Sequence, residues 1–368
     1  MDKHQETIRK ALAREPLTHA EALQLYTELP PAELFWAADM IRRNTVPDPK
    51  TVTWQIDRNV NITNVCQSGC LFCNFRCRPD KGDKPFITGI AEYAEKIEET
   101  LRLGGDQLLI QGGLHPKLDI RYYETLFAEL KNRYPELKLN ALGAPEIYHI
   151  SKISGITIRE TLQRLHKSGL DTLPGAGAEI LCDEVRNRIS PGKPNTAQWT
   201  EVMREAHRQN IPTTATMMYG HIETPSQRIA HLMLIRDIQA EKPENSYGFT
   251  TFIPWVFCGS GTRLEKEAVI PRHWATDYLR MIAISRIVLN NIPNIQASWL
   301  TTGKQTAQIA LHCGANDFGS IMIEENVVSS AGANNRFDIA GIQKAISEAG
   351  FIPQLRDQLY RKRELKFI

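Results

Sequence analysis

Three cysteines lie within eight consecutive residues, at Cys66, Cys70 and Cys73. They directly follow the segment VNITN at 60–64, whose alternating pattern predicts a β-strand. Thiolates are soft ligands that suit zinc ions or iron–sulfur clusters. Structural zinc generally takes four protein ligands, whereas a cubane cluster held by three thiolates leaves one iron open. The spacing CxxxCxxC supplies three ligands and therefore favours a cluster with one open iron.

A fourth cysteine keeps a second interpretation open. Cys77 follows four residues after the third cysteine, so the stretch can also be written CxxxCxxCxxxC. A fully thiolate-ligated cluster would be an electron carrier or a structural staple, but a chain of this size does not need a metal for stability. Three further cysteines have apolar neighbours, and we interpret them as small buried structural residues: Cys182, Cys258 and Cys313.

Composition narrows the class of partner. The chain has 368 residues with 42% hydrophobic content, and 44 Lys and Arg against 42 Asp and Glu leave a formal net charge of +2. This balance supplies no basic field for nucleic acid or an anionic membrane, so we expect a small-molecule partner. The N-terminal residues form a polar helical pattern, and no stretch approaches the roughly 20 apolar residues of a membrane span. We therefore expect a cytoplasmic protein with its thiols reduced.

The order of elements predicts the fold. Short apolar runs alternate with longer amphipathic helical patterns, which is typical of parallel strands joined by crossover helices. The predicted strands span 60–64, 107–113, 137–143, 170–177, 213–220, 248–255, 294–301 and 315–323. Eight such units predict an α/β fold, a closed (β/α)8 barrel of the TIM type, with active-site residues at the C-terminal ends of the strands. An open doubly wound sheet remains the alternative architecture.

The domain prediction places residues 1–50 in an N-terminal helical extension and residues 51–368 in the barrel, which includes a C-terminal helical segment. Helical patterns broken at LPP and VPDP support the extension.

Two glycine-rich strand ends add a cofactor-sized site. In QGGLHP, residues Gln111, Gly112 and Gly113 end the second predicted strand, and glycine lets a backbone approach a ligand closely, although a GG pair alone is more often a plain turn. In LPGAGAEILCDEVR, a helix is predicted to begin at Glu179. Its carboxylate could accept hydrogen bonds from ribose hydroxyls or favour the helix N-terminus by its charge.

Several blocks resemble one branch of the radical S-adenosylmethionine superfamily, the enzymes of menaquinone and deazaflavin biosynthesis, from about Arg58 to the C-terminus. The blocks are NITNVCQSGCLFCNF, AEILCDEVRNRISPGK, TTATMMYGHIET, GFTTFIPWVF, QASWLTTGK and GANDFGSIMIEENVVSSAGA. The resemblance implies a 4Fe–4S cluster on the three cysteines, with S-adenosylmethionine held near Phe72, the glycine-rich end of strand two and Glu179. Two departures are Ala176, where a glycine is expected, and Cys77, which lies outside the family's ligand set.

The resemblance also implies a reaction in menaquinone biosynthesis. A 5′-deoxyadenosyl radical removes the ribose C4′ hydrogen of dehypoxanthine futalosine, and the sugar radical adds to the benzoate ring to give a cyclic product. Candidate catalytic residues lie at the ends of late strands: His221 and Glu223 follow strand five, and Asp317 and Glu324 flank strand eight. Each could instead be a helix cap or a solvated loop charge.

Other members of the branch remain alternatives. One joins an adenosyl radical to an enolpyruvyl benzoate, and another builds the deazaflavin precursor from a tyrosine fragment. The expected partner protein is an electron donor such as flavodoxin or ferredoxin. Outside the branch, a non-enzymatic iron–sulfur electron carrier is the remaining alternative.

Overall fold

Nine short strands form the centre of the molecule in the computed structural model, which describes residues 3–268 and 273–365. They are β1 (Thr51–Gln55), β2 (Asp57–Asn61), β3 (Gln107–Gln111), β4 (Lys138–Ala141), β5 (Thr213–Tyr219), β6 (Phe249–Val256), β7 (Asn294–Ile295), β8 (Asp317–Ser320) and β9 (Ile352–Leu355). All of their ladders are parallel, in the orders β8-β1-β9, β2-β3-β4 and β5-β6-β7.

These three sheets join into one ring. Parallel bridges connect Asn140 with Thr172, Leu173 with Thr213 and Gln296 with Asp317. After β8, the amide of Ile323 donates to the carbonyl of Asp57 (3.0 Å), which closes the ring onto β2. Because β1 and β2 run on almost without a break, the ring has eight positions, in the order β1/β2, β3, β4, residues 172–173, β5, β6, β7 and β8. The predicted closed barrel is therefore confirmed over the open sheet.

Thirteen α-helices occur among the described residues. They are α1 (Lys3–Leu12), α2 (His19–Glu28), α3 (Pro31–Thr45), α4 (Ile90–Arg102), α5 (Ile120–Arg133), α6 (Ala144–Ser154), α7 (Ile158–Lys167), α8 (Asp183–Ile189), α9 (Thr196–Arg208), α10 (Pro225–Ala240), α11 (Trp274–Val288), α12 (Trp299–Ala310) and α13 (Ile339–Glu348). Side-chain caps define several of their starts. Thr224 caps α10 in a capping box with Gln227, which satisfies amide groups that the first helical turn leaves free.

The first three helices pack on the outside of the barrel. The hydroxyl of Tyr26 in α2 donates to Asp277 in α11 (3.0 Å), and Arg280 donates to the carbonyl of Leu29 (2.8 Å). Arg236 in α10 donates to the carbonyl of Leu17 (2.9 Å). These contacts show how the N-terminal helices are attached, and the boundary at residue 50 stays a prediction.

Several elements differ from those predicted. The fourth strand is reduced to bridges at Thr172 and Leu173, and the helix expected from Glu179 begins at Asp183, because Glu179 adopts a left-handed backbone conformation (φ 47°). After the predicted C-terminal helix, the chain returns as β9, which pairs with β1 at the N-terminal end of the barrel. No helix in the described part of the chain is both long and apolar enough to cross a membrane.

Candidate active site

A cavity of about 400 Å³ lies inside the barrel and is lined by strand ends and the loops that follow them. All eight residues predicted to bind the cluster or its cofactor line it, namely Cys66, Cys70, Phe72, Cys73, Gln111, Gly112, Gly113 and Glu179. The fold therefore brings together side chains that lie more than a hundred residues apart in the sequence, as expected for the C-terminal face of a (β/α)8 barrel.

The cysteine loop packs closely against neighbouring backbone. Ser68 lies between two of the thiols, with its hydroxyl 3.0 Å from Cys66 Sγ and 3.2 Å from Cys70 Sγ. Burial raises the pKa of the Cys70 thiol. A side chain at Gly113 would collide with the carbonyl of Val65, so glycine is required where β3 meets this loop.

Within residues 3–268 and 273–365, no three His, Cys, Asp or Glu side chains lie close enough together to share one metal ion. In a cubane cluster each thiolate ligates its own iron, so its ligands need not converge as those of a zinc ion do. Three soft thiols at one end of the cavity fit such a cluster by their chemistry.

The other cysteines occupy different environments. Among the described residues, Cys77 is not one of those that line the cavity. Its thiol instead contacts the carbonyl of Asp83 (3.7 Å). Cys258 does line the cavity, where the sequence indicated only a structural role, and burial raises the pKa of its thiol. Cys313 is buried, which raises the pKa of its thiol to about 12, and Cys182 precedes α8.

A buried ion pair lies beside the cysteine loop. Lys193 Nζ is 2.7 Å from Glu179 Oε1 and 5.1 Å from the centre of the Phe72 ring. Burial alone would lower the pKa of Lys193, but the negative charge and hydrogen bond of Glu179 outweigh burial and leave that pKa raised. The two charges therefore satisfy each other beside the cysteine loop.

A second buried carboxyl group reaches the glycine-rich strand end. Glu146 Oε1 accepts from the amide of Gly112 (3.4 Å), and Glu146 Oε2 accepts from the amide of Gly143 (3.0 Å). Burial raises the pKa of Glu146 to about 7. This carboxyl can therefore gain or lose a proton near neutral pH.

The four predicted catalytic residues are not among the described residues that line the cavity. His221 Nδ1 lies 2.9 Å from Glu223 Oε2, and Arg228 Nε lies 2.8 Å from Glu223 Oε1. Burial opposes ionisation of Glu223, but the hydrogen bond and charge of His221 and the charge of Arg228 prevail and lower its pKa to about 2. This buried network lies just beyond the end of β5 and holds the turn there together.

Asp317 and Glu324 are likewise engaged elsewhere. Asp317 is fully buried and binds the guanidinium of Arg356 through both of its oxygens (2.6 and 3.0 Å). Glu324 lies outside the barrel in an ion pair with Lys96 (2.6 Å), beside Arg58. The geometry therefore favours structural ion pairs for these two carboxylates.

Seven charged residues line the cavity, namely Asp57, Arg76, Glu146, Glu179, Lys193, Glu325 and Arg356. Asp57 accepts from Ser320 and Gln107, and Glu325 accepts from the amides of Val327 and Val328 (2.8 Å each). Arg76 alone has no hydrogen-bond or ion-pair partner among the described residues. Its guanidinium lies beside the cysteine loop, 3.3 Å from where a side chain at Gly69 would begin. An unpaired cation in a cavity can bind an anionic group.

Sequence reasoning missed several lining residues. Arg356 and Tyr360 reach the floor of the cavity from the C-terminal segment, and no local pattern indicates this long-range return. Asn59 and Asn61 could have been found, because polar residues at alternate positions of an otherwise buried strand share one face.

Comparisons with known proteins agree with this geometry. Residues 60–235 match the model of the radical SAM superfamily, and residues 246–367 match the CofH/MqnC C-terminal region. The chain is 41% identical over 359 residues to cyclic dehypoxanthine futalosine synthase of Streptomyces coelicolor, covering 97% of this chain and 88% of the relative. It is 42% identical over 354 residues to 5-amino-6-(D-ribitylamino)uracil--L-tyrosine 4-hydroxyphenyl transferase 1 of Methanosarcina acetivorans, covering 95% and 91%.

A solved structure supports the fold. HydG, a maturase of FeFe-hydrogenase, aligns with a TM-score of 0.73 at 16% identity, covering 97% of this chain and 76% of HydG. Members of the superfamily use a 4Fe–4S cluster and S-adenosylmethionine, and the thiol set lining the cavity suits that cluster. The chain is thus an enzyme of the radical S-adenosylmethionine superfamily and belongs to its CofH/MqnC family.

Proposed function

We propose that this enzyme converts dehypoxanthine futalosine into cyclic dehypoxanthine futalosine in menaquinone biosynthesis. The ribose C4′–H bond breaks and its hydrogen atom leaves in 5′-deoxyadenosine. C4′ then bonds to a carbon of the benzoate ring, and the ring loses one proton and one electron to become aromatic again. The relative from Streptomyces coelicolor, which carries this name and aligns with 97% of the chain, supports the assignment.

The cofactor roles in this proposal rest on the residues lining one end of the cavity. We assign Cys66, Cys70 and Cys73 as cluster ligands. When bound, the cluster and S-adenosylmethionine supply the 5′-deoxyadenosyl radical and an acceptor for the released electron. We assign the segment Gln111–Gly113 to the cofactor as well, because it lines the same space without side chains at its two glycines, and Glu179 with Phe72 borders that space.

The observation that carries the choice of substrate is the charge balance of the cavity. Arg76 is a cation without a described partner, so it can take the single carboxylate of a benzoate. All four carboxyl groups that line the cavity already have partners. Glu179 is paired with Lys193, Glu146 and Glu325 accept from backbone amides, and Asp57 accepts from Ser320 and Gln107. A substrate that brings one negative charge and no ammonium group matches this arrangement.

The second candidate function is transfer of the 4-hydroxyphenyl group of tyrosine, because a relative of that name is 42% identical. Tyrosine would bring an ammonium group into the cavity together with its carboxylate. That ammonium would need a carboxyl group that does not already have a partner. The cavity favours the cyclisation for this reason.

The experiment compares substrates on the same preparation. Anaerobically reconstituted and reduced protein is incubated with S-adenosylmethionine and dehypoxanthine futalosine, with enolpyruvyl benzoate, or with tyrosine plus ribitylaminouracil. We expect 5′-deoxyadenosine and a coupled product only from dehypoxanthine futalosine, measured by mass spectrometry. An adenosylated product from enolpyruvyl benzoate, or aryl transfer to ribitylaminouracil, would replace this assignment.

We also propose an electron donor and a cellular location for the enzyme. Reduction of the cluster requires an external electron, for which we propose a flavodoxin or a ferredoxin. We also propose a cytoplasmic location, where such donors and reduced thiols are found. Reduction by purified flavodoxin, followed by the cluster's paramagnetic resonance signal, tests the first point.

A further inference from the structure

The cavity has two chemically different walls. Carboxamide side chains line ring positions one to three, from β1/β2 through β3 to β4, namely Gln55, Asn59, Asn61, Gln111 and Asn140. We call these five residues the amide wall. Apolar and aromatic side chains cluster at the C-terminal ends of positions five to seven, namely Met218, Ile253, Trp255, Phe257 and Trp299. We call these five residues the aromatic wall. Other parts of these positions carry polar lining residues, namely Thr214, Thr216, Thr251, Gln296 and Ser298. In an eight-position ring, positions one to three lie across from positions five to seven, so the walls face each other.

Strand alternation produces the amide wall. Gln55, Asp57, Asn59 and Asn61 occupy every second position of β1/β2 and therefore point to the same side, into the barrel. Barrel interiors of this fold are usually packed with branched apolar side chains. Four consecutive inward polar residues therefore mark a surface that binds a polar ligand.

Buried amide atoms of this wall lack partners. Asn59 is 3% exposed and Asn61 is 6% exposed. Neither Asn59 Oδ1 nor Asn61 Nδ2 has a hydrogen-bond partner among the described residues, and the same holds for Gln55 Nε2. An unpaired buried donor or acceptor costs roughly 1–3 kcal/mol, so these atoms indicate an absent hydrogen-bonding ligand.

The opposite wall suits an aromatic ring. Ile253, Trp255 and Phe257 occupy alternate positions at the end of β6, and Trp299 stands at the start of α12. Trp299 is fixed by an edge contact with Phe337, with ring centroids 4.8 Å apart. Aromatic side chains held in this way favour stacked or edge contacts with an aryl ligand.

We propose that the amide wall binds the hydroxyl groups of the substrate's sugar while the aromatic wall binds its aryl ring. This inference rests on the proposed function and adds the direction in which the substrate lies. Asn61 ends the strand that leads into the cysteine loop, and Gln111 directly precedes Gly112 and Gly113. The sugar therefore lies against the strand ends that lead into the cysteine loop. The aryl ring lies across from them, where the same loop, which carries Arg76, is hydrogen-bonded to the segment after β6.

The test pairs amide deletions with hydroxyl deletions. Asn59→Leu and Asn61→Leu remove the amides at similar volume, and each is assayed with dehypoxanthine futalosine and with its 2′-deoxy and 3′-deoxy analogues. We expect each variant to raise KM about 5- to 10-fold for the full substrate. For the analogue that lacks the hydroxyl bound by that amide, the variant should raise KM less than about 2-fold.

Control variants distinguish binding of the sugar hydroxyls from a purely structural role of these amides. Asn291→Leu removes an amide with an unpartnered buried oxygen outside the cavity, and should leave KM unchanged. Asn59→Ala serves where the leucine variant does not fold. Equal penalties on all three substrates would overturn the inference while the function stands. A wild-type protein that forms no cyclic product would overturn the proposed function, and with it the sugar assignment.

Discussion

Replacing Arg76 with Met tests the charge balance on which the substrate assignment depends. Arg76 is half-buried, lines the cavity and has no partner among the described residues. A hydrogen bond to a charged group contributes about 1.5–3 kcal/mol. Because solvent screens a half-exposed pair, we take the lower limit, about 1.5 kcal/mol. At about 1.4 kcal/mol per tenfold change in affinity, Arg76→Met should raise KM for dehypoxanthine futalosine about 10-fold.

The assay measures substrate and cofactor separately. KM for dehypoxanthine futalosine comes from initial rates of product formation, and the dissociation constant of S-adenosylmethionine comes from the spectral change of the reduced cluster. Arg76→Met should change the first constant and leave the second within about 2-fold. Arg76→Lys keeps the charge but loses the planar fork, so its KM should lie between those of wild type and Arg76→Met.

Arg78 supplies a matched control. It lies two residues further along the same loop, donates to the side chain of Asn74 (3.2 Å) and is not among the described residues lining the cavity. Arg78→Met should change KM less than about 2-fold. An unchanged KM for the substrate in Arg76→Met would contradict a role of Arg76 in substrate binding. Weaker binding of S-adenosylmethionine alone would show that Arg76 serves the cofactor.

Three further predictions follow from the site. Cys77→Ser should retain the iron content and the paramagnetic resonance response to S-adenosylmethionine, whereas loss of iron would make Cys77 a ligand. Lys193→Met should destabilise the fold by about 3–5 kcal/mol by leaving Glu179 buried without its partner. Adding Glu179→Gln should recover most of the melting temperature, and no recovery would contradict the pairing. Burial raises the pKa of Glu146 from 4.5 to about 7. The folded state therefore keeps a proton that the unfolded chain releases, and stability falls as the pH rises through this window. Glu146→Gln should lack this fall, worth up to about 3 kcal/mol, in melting curves between about pH 5 and pH 8; an unchanged pH dependence would contradict it.

The cofactor end of the cavity could be predicted because its signals are local. The spacing of Cys66, Cys70 and Cys73 sets the ligand number, and Gly113 stands where only a glycine avoids the carbonyl of Val65. The cysteine spacing needs no distant contact, and the glycine pair at 112 and 113 is visible in the sequence although Val65 approaches from the neighbouring strand end. These residues line the cavity as the sequence indicated, and their roles as ligands stay predictions.

The catalytic candidates could not be placed from sequence, because side-chain direction depends on register and on distant partners. Asp317 is bound by Arg356, which arrives 39 residues later on the segment after β9. His221 turns back to the carbonyl of Met218 (3.2 Å) instead of facing the cavity. Such contacts form only once the barrel has closed.

The most direct test of the account follows the hydrogen atom itself. Reconstituted, reduced protein is incubated with S-adenosylmethionine and with dehypoxanthine futalosine that carries deuterium at C4′, and 5′-deoxyadenosine and the coupled product are analysed by mass spectrometry. The account predicts one deuterium in 5′-deoxyadenosine, a cyclic product without it, and neither compound from the Cys70→Ala variant. Unlabelled 5′-deoxyadenosine alongside a cyclic product, or full turnover by Cys70→Ala, would contradict it.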